Sequence, residues 1–294
     1  MLSEELGFHP DERLLIINAD DFGMCNSTNR AIETLLKEEV ITSTSLMTTC
    51  PWMKEAALIA KDNPRYDVGL HLTFTSEWEN YKWAPITKFG KGVSFIDKFG
   101  YFPQDVQPVE SAQASEIEKE CIAQIETALS LGVDLTHLDN HMVSLGGITG
   151  GKNFMNIVIE LSAYYGLPLR LPRTPFNIIP HDEALIKLVD DKGVVIPDYI
   201  NVLPFVMPEE KSNQEAIKEN VLDIIHHLMP GVTEVIYHPS IATDELKGIT
   251  DTWSFRNMEF NVFRDPEVIK VIQEENIRLI TWRDMRNLQR SKKQ

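Results

Sequence analysis

Short apolar runs alternate with segments of helical spacing along this chain. The run 14–19 is almost continuously apolar and rich in branched residues, which is typical of a strand buried on both faces of a parallel sheet. After the turn residue Gly23, Ser27 is the expected N-cap of a helix whose apolar face holds Ala31 and Leu35. The N-terminal part of the chain therefore predicts a strand, a loop and a helix.

The same succession of strand and helix recurs to the end of the chain. Further strands are predicted at 43–47, 67–72, 135–139, 167–171, 234–237 and 278–281. Helices are predicted from about 51 to 59 and at 115–131, 154–165, 215–228 and 266–275. Repeated alternation of strand and helix indicates a parallel sheet covered by helices, either open or closed into a barrel.

Polar residues gather where the predicted strands end. They are Asp20, Asp21, His71, Asp139, His141, Arg170 and His238. Because the carboxyl ends of the strands of a β/α barrel converge on one face, we predict an α/β fold with an irregular, TIM-barrel-like (β/α) barrel of about seven units. No linker, internal repeat or low-complexity tract marks a boundary, so residues 1–294 are expected to form a single domain.

The alternation of strand and helix stops between residues 73 and 112. This stretch contains several Gly and Pro residues and many aromatic ones, including Trp78, Tyr81, Trp83, Phe89, Phe95, Phe99, Tyr101 and Phe102. Loops of this length inside compact domains are usually functional. We therefore predict that this loop belongs to the active site.

The composition is that of a globular protein with a sizeable core, since 43% of the 294 residues are hydrophobic and 24% are charged. The 44 acidic and 28 basic residues give a net charge of -16, which opposes affinity for nucleic acid or anionic membranes and favours a neutral or cationic substrate. Three cysteines without a C-x-x-C pair suggest neither disulfides nor a thiolate zinc site. With no signal peptide or membrane span recognised, a cytoplasmic protein is expected.

Two carboxylates, Asp20 and Asp21, stand together where the first strand stops. Each raises the pKa of the other, so the pair gains most from a cation or a shared proton, although an isolated Asp-Asp is more often a turn or a helix cap. His71 lies in an apolar strand end, where a hydrogen-bonded core histidine is the alternative. His141 follows a strand and can turn over the barrel mouth, whereas His137 is better suited to a structural role.

Two imidazoles and one carboxylate form a common site for Zn²⁺, Fe²⁺ or a related ion. Such an ion acidifies bound water and polarises a carbonyl group, and hydrolysis then needs a base for the water and an acid for the leaving group. Asp20, beside the ligand Asp21, is a candidate base. His238 is a candidate acid, with a loop or cap histidine as its alternative.

These segments resemble the YdjC-like carbohydrate deacetylases, a family that includes the chitooligosaccharide deacetylases. The resemblance is carried by the segments 15–23, 41–45, 69–71, 136–141, 169–170 and 238–239, and Arg256 with Glu259 resemble a late motif of the family. Many relatives carry further histidines directly after the position of His141, where this chain has Met142, Val143 and Ser144.

The resemblance implies an irregular barrel, as in polysaccharide deacetylases, and metal-dependent removal of an acetyl group from an N-acetylated amino sugar such as diacetylchitobiose. It makes Asp21, His71 and His141 the ligands of one divalent ion, Mg²⁺ or Zn²⁺. It also makes Asp20 the base and His238 the acid. Arg170, Asp139, Arg256 and Glu259 are then expected to lie behind these groups or against the substrate. Stacking of the aromatic loop on sugar rings, or its packing on the barrel, both remain open.

Two alternative functions are a metal-dependent phosphoesterase on a similar barrel and a noncatalytic sugar- or metal-binding protein. A phosphoesterase usually needs more ligands, for two metals, and cationic groups for phosphate, of which only Arg170 is evident. A noncatalytic protein would be expected to lack the base or the acid, and Asp20 and His238 are both present. The partner is therefore expected to be a small carbohydrate, and a homodimer is the default expectation for a soluble enzyme.

Overall fold

Parallel strands form a single curled sheet in the computed structural model, which describes residues 2–88, 93–175, 182–204 and 213–292. The strands are β1 (Arg13–Phe22), β2 (Ser43–Leu46), β3 (Val68–Leu72), β4 (Leu135–Asn140), β5 (Tyr199–Val202), β6 (Gly231–Tyr237) and β7 (Arg278–Leu279). Their order is β4-β3-β2-β1-β6-β5, and every pairing is parallel. β7 pairs with the start of β1, whereas β2 pairs with its end.

Helices connect and cover these strands. They are α1 (Leu2–Glu5), α2 (Asn26–Lys37), α3 (Met53–Asp62), α4 (Gln107–Glu110), α5 (Ala114–Ser130), α6 (Met155–Tyr165), α7 (Glu183–Lys192), α8 (Gln214–His226), α9 (Asp244–Ile249), α10 (Trp253–Val262), α11 (Pro266–Glu274) and α12 (Trp282–Ser291). A 3₁₀ turn, His141–Val143, follows β4. In the described ranges, no helix combines the length and the apolar character needed to cross a bilayer.

The predicted strand 167–171 is wrong, because only one bridge forms there, between Leu138 and Leu169. Pro168 and Pro172 have no N–H to donate to a neighbouring strand, which limits pairing on both sides of Leu169. Leu169 instead donates its backbone N–H to Val195, and Arg173 and Thr174 donate theirs to Pro197 and Asp198, so this irregular segment lies between β4 and β5. The predicted irregular barrel is therefore confirmed, but the strand β5 was missed.

Ser27 is not the N-cap of α2, because Cys25 holds that position and the helix begins at Asn26. The backbone N–H groups in the first turn of α2 find their acceptor in α9. The Glu245 carboxylate accepts hydrogen bonds from the backbone N–H groups of Asn26 and Ser27. The Ser27 hydroxyl also donates to Glu245, at 2.6 Å. A contact between distant segments therefore replaces the local cap that the sequence predicted. The sequence pattern also missed the helices α1, α4, α7, α9, α10 and α12.

The interior of the barrel changes from apolar to polar along β1. Leu14 and Ile16 pack with Trp282 of α12 in a small cluster that closes one end of the barrel. Residues two apart in a strand share a face, so Asn18 and Asp20 continue this interior row toward the carboxyl end. The alternate residues of β1 pack in the larger core beneath the helices. The polar end of the interior is where the candidate site lies.

Candidate metal centre

A break in the regular strand brings the Asp20 and Asp21 carboxylates to the same side of β1. The register of β1 against β2 shifts between Ala19 and Phe22, and Asp21 has a φ of 71°, in the left-handed region. In an unbroken strand, neighbouring side chains would point to opposite faces. Here both carboxylates line one cavity. Unfavourable φ angles of this kind cluster at functional sites, where the surrounding structure maintains them.

Three candidate ligand atoms face one buried point. They belong to Asp21, His71 and His141. His71 Nε2 lies 3.8 Å from Asp21 Oδ1, His141 Nδ1 lies 3.6 Å from the same oxygen, and the two nitrogens are 3.3 Å apart. All three side chains are buried. Asp21 Oδ1 is buried without a hydrogen-bond partner, which is unfavourable unless a cation or a water molecule satisfies it. The donor set and this oxygen fit a divalent metal ion.

Each of the two histidines is oriented by a carboxylate on its far side. Asp139 Oδ1 lies 2.7 Å from Nδ1 of His71, which directs Nε2 toward Asp21. Glu77 Oε2 lies 3.1 Å from Nε2 of His141, which directs Nδ1 toward the same point. Histidine ligands of metals usually donate their other ring N–H to such a partner. The sequence analysis missed Glu77, which lies six positions after His71 on the long loop.

Asp20 is hydrogen-bonded to Arg170 and does not belong to the group formed by Asp21, His71 and His141. Arg170 donates to both Asp20 oxygens at 2.8 Å, and Asn18 donates to Asp20 Oδ1 at 2.7 Å. Burial alone would raise the pKa of Asp20, but the charges of Arg170 and His71 outweigh burial and hold that pKa below its ordinary value. Asp20 is therefore an ionised carboxylate at neutral pH.

A second group of possible ligands, formed by Asp20, His71 and Asp139, already contacts a cation of the protein, Arg170. Arg170 lies 2.8 Å from oxygens of both Asp20 and Asp139, so a guanidinium group occupies the position that a second cation would need. Arg170 also donates twice to Glu234, at 2.9 Å. Glu234 was missed by the sequence analysis, although a charged residue inside the apolar strand β6 was its signal.

Arg256 and Glu259 of α10 support the other side of the site. Arg256 donates to Asp21 Oδ2 at 2.7 Å, which leaves Oδ1 as the ligand atom. Glu259 accepts the backbone N–H of His238 at 2.7 Å, and burial raises the pKa of Glu259 to about 8. His238 Nε2 faces Asp20 Oδ2 at 3.8 Å. Burial lowers the pKa of His238 to about 4, against the opposing charges of Asp21 and Asp20.

The electrostatic balance of the site favours an added positive charge. The pKa values of Asp20, Asp21 and Asp139 all lie below their ordinary values, so these carboxylates are ionised, and Arg170 and Arg256 neutralise only part of their charge. Burial alone would lower the pKa of His71, but Asp139, Asp20 and Asp21 together raise it to about 9. The site thus takes up a proton on His71, or a cation in its place.

Comparison with known proteins places this architecture in a family. The model of the YdjC-like protein family matches residues 14–274. The chain belongs to the YdjC-like family. The resemblance found in the sequence is thereby confirmed.

Curated relatives of this YdjC-like chain include proteins named carbohydrate deacetylase. That of Thermoanaerobacter pseudethanolicus is 28% identical over 92% of this chain and 98% of its own length, and that of Geobacillus stearothermophilus is 29% identical over 94% and 99%. A crystal structure from Enterococcus faecalis, of a protein described provisionally as a cellobiose-phosphate cleavage protein, is 28% identical, with a TM-score of 0.76 over 92% of this chain and 98% of that one. The whole barrel is therefore shared with these proteins.

The cavity of this YdjC-like protein encloses about 400 Å³, and many of its lining residues belong to two chemically unlike sets. We call the first the charged wall; it consists of Asp20, Asp21, His71, His141, Arg170, His238 and Arg256. We call the second the apolar wall; it consists of Leu171, Leu185, Ile200, Val202 and Ile236. Asp139 and Glu259 are not among the cavity-lining residues and lie behind the charged wall, in contact with His71 and with His238. The residues predicted from the sequence therefore lie together at one site.

The aromatic residues of the loop 73–112 divide among the core, the cavity and the exposed surface, where Phe99 and Tyr101 lie. Trp83, Phe95 and Phe102 are buried in the hydrophobic core, whereas Trp78 lines the cavity. The ring of Trp78 lies 5.6 Å from the guanidinium carbon of Arg256. Phe89 lies outside the described residues. Packing of the loop against the barrel therefore accounts for several of these residues, and Trp78 is left as the candidate for a sugar contact.

Proposed function

We propose that this YdjC-like protein is a divalent-metal-dependent hydrolase that removes the acetyl group from an N-acetylated amino sugar or a chitooligosaccharide such as diacetylchitobiose. Curated relatives named carbohydrate deacetylase span nearly the whole chain, which makes the chain an enzyme of the amide-hydrolysing class. The observation that carries the proposal is the buried convergence of Asp21, His71 and His141 beside the ionised Asp20. Metal-assisted amide hydrolysis uses a Lewis acid with a base beside it.

Asp21, His71 and His141 are the proposed ligands of one divalent ion. Two imidazole nitrogens with one carboxylate oxygen suit Zn²⁺ better than Mg²⁺, which prefers a shell of oxygen ligands. When bound, such an ion polarises an amide carbonyl and lowers the pKa of a water molecule. The remaining chemistry belongs to the side chains of the charged wall.

Asp20 is the proposed general base. Its two oxygens are fixed by Arg170, so the carboxylate is oriented before the substrate arrives. Asp20 would take a proton from the water that attacks the acetyl carbon. Because the pKa of Asp20 is held low, the carboxylate would not retain this proton and would pass it on.

His238 is the proposed acid that protonates the departing amine. With a pKa of about 4, its ring is neutral at neutral pH and must first gain a proton during the reaction. The distance of 3.8 Å between His238 Nε2 and Asp20 Oδ2 suits a transfer from the base to the acid after a small movement. The proton balance is then closed, because the proton lost by water ends on the amine nitrogen.

The apolar wall and Trp78 supply surfaces for the carbon-rich parts of the substrate. Sugar rings bind aromatic faces through their C–H groups, and an acetyl methyl group fits an apolar surface. Arg170 and Arg256 are both paired with carboxylates, which reduces the positive charge that these two cations of the charged wall can offer to a phosphate. This arrangement supports an uncharged amide substrate over a phosphate ester.

The test is acetate release from N-acetylglucosamine, diacetylchitobiose and longer chitooligosaccharides by chelated protein resupplied with Zn²⁺, Co²⁺, Mn²⁺ or Mg²⁺. We expect release that depends on the metal, with Zn²⁺ or Co²⁺ more effective than Mg²⁺. A phosphorylated disaccharide is the competing substrate. Phosphate release without acetate release from any amino sugar would contradict the proposal. The cytoplasmic location, the homodimer and the single domain remain predictions.

A further inference from the structure

Glu77 contacts the candidate metal centre from outside the predicted ligand set. It follows β3 by five residues, on the long loop, and its Oε2 lies 3.1 Å from Nε2 of His141. Its side chain is 22% exposed, and it borders the cavity. This carboxylate is therefore between the cavity and a candidate ligand.

His141 depends on side-chain contacts for its orientation. It lies beyond the end of β4, and the two residues after it, Met142 and Val143, both have positive φ angles of 53° and 52°. No strand pairing holds its backbone, and its ring meets the rings of His71 and Trp83 edge-on, at 5.2 and 6.3 Å. Such ring contacts restrict the position of the imidazole but do not choose which nitrogen carries the proton.

The contact with Glu77 determines which nitrogen of His141 carries the proton. A carboxylate accepts a hydrogen bond, so Nε2 of His141 carries the proton and Nδ1 keeps its lone pair toward Asp21 Oδ1, 3.6 Å away. On His71 the arrangement is reversed, because Asp139 accepts from Nδ1 and Nε2 keeps the lone pair. The two histidines thus use opposite nitrogens, and each is set by its own carboxylate.

Glu77 is held in place by the way its loop is fastened to the barrel. Gln124 of α5 bonds both the N–H and the carbonyl of Thr73, and Glu120 accepts the backbone N–H groups of Ile86 and Thr87. Both anchors are buried. Glu77 therefore lies on a segment that is fixed on either side of it, as a positioning group requires.

We infer that Glu77 is a positioning residue, which fixes the tautomer and orientation of His141 for the divalent ion of the proposed metal centre. The inference rests on the proposed function, since it concerns the same three ligands. Groups of this kind typically contribute about 10- to 100-fold to metal affinity.

The experiment compares Zn²⁺ affinity of the purified protein and its variants by competition with a chromophoric chelator. Glu77→Ala should bind Zn²⁺ about 10- to 100-fold more weakly than the wild type. Glu77→Gln, whose amide oxygen still accepts a hydrogen bond, should lie between them. Glu79→Ala is the matched control, because Glu79 is an exposed residue of the same loop, and it should bind as the wild type does. Circular dichroism checks that each variant is folded.

A second readout separates positioning from a general loss of structure. In the Zn²⁺-loaded wild type, the His141 Nε2 proton should give a downfield NMR signal protected from exchange, and Glu77→Ala should lose this signal while the His71 Nδ1 signal persists. Equal Zn²⁺ affinity of Glu77→Ala and Glu79→Ala would overturn the inference. A wild type that binds no divalent ion would overturn both this inference and the proposed metal centre. Tight Zn²⁺ binding, weakened by Glu77→Ala, without acetate release would contradict the proposed function alone and support the role of Glu77.

Discussion

The charged wall and the apolar wall of the cavity are built in different ways. The proposed ligands Asp21 and His71 lie on β1 and β3, within the part of the sheet that pairs in sequence order, and His141 directly follows β4. The apolar wall comes from β5, β6, α7 and a segment that makes only one bridge. Regular pairing fixes backbone positions more firmly than a single bridge does. The comparison teaches that the candidate ligands come from strands that pair in sequence order, at the point where the pairing of β1 shifts register, whereas the apolar wall is assembled across β5, β6 and the segment with one bridge.

Substitutions in the two walls should also affect different properties of the protein. Substitutions in the charged wall should act on turnover, on metal binding or on stability, because its members are buried charges that depend on one another. Substitutions in the apolar wall should act mainly on substrate affinity, because no reacting group is attached to it. Four predictions test this division, from the largest expected effect to the smallest.

The largest effect is expected for the base. Asp20→Asn should lower kcat by about 10²- to 10⁴-fold, because the amide cannot take a proton from water. Zn²⁺ content, measured by atomic absorption, should remain that of the wild type, whereas His71→Ala should lose the metal. If Asp20→Asn also loses the metal, the roles given to Asp20 and Asp21 are wrong.

Arg170 should matter most for stability. Arg170→Met would leave Asp20, Asp139 and Glu234 buried without their shared counter-ion, so the free energy of unfolding should fall by about 3–5 kcal/mol in urea titrations. The matched control is Arg173→Met, which removes an ion pair to Asp190 whose side chains are 40% and 55% exposed. Its loss should cost no more than about 1 kcal/mol. Equal effects of the two substitutions would contradict the network.

Glu259 should make stability depend on pH. Its folded pKa of about 8 lies above the ordinary 4.5, so its stabilising contribution is fully present below pH 4.5 and is lost as the pH rises through 8. Glu259→Gln keeps the neutral shape and cannot ionise. The Tm of this variant relative to the wild type should therefore rise between pH 5 and 9. A difference in Tm that stays constant over this range would show that Glu259 is not titrating.

The smallest effect is expected in the apolar wall. Val202→Thr exchanges one methyl group for a hydroxyl of similar size, so KM for diacetylchitobiose should rise by about 2- to 5-fold while kcat stays within twofold. Steady-state kinetics with the Zn²⁺-loaded protein measures both constants. A fall in kcat comparable to that of Asp20→Asn would break the division between the two walls.

The barrel and the convergence of the proposed ligand residues were predictable because both leave local signals. The apolar run before Asp20 and the placement of His71 and His141 at strand ends follow from sequence order and from the convergence of parallel strands. Glu77 and Glu234 were not predicted, because their roles arise from contacts with residues 64 positions away in each case, His141 and Arg170. The spacing of residues along the chain does not predict such contacts.

Glycine at position 69 illustrates the same limit. A Cβ there would lie 2.2 Å from Cε1 of His137, so the absence of a side chain makes room for that ring inside the barrel. The His137 ring stacks on Trp282 with centroids 4.5 Å apart. No pattern in the sequence predicts that these three residues meet, because they come from β3, β4 and α12.

The sequence by itself determined the alternation of strand and helix, the family, and most residues of the candidate site, because these depend on local periodicity and on motifs. Only the tertiary structure decided that Asp21 leaves the regular strand to join Asp20, that Arg170 is shared by three carboxylates, and that a glutamate of the loop orients His141. These features follow from the closure of the barrel, which brings buried charges from separate strands within hydrogen-bonding distance. Buried charges must be paired, and the partner is chosen by proximity in space rather than by position along the chain.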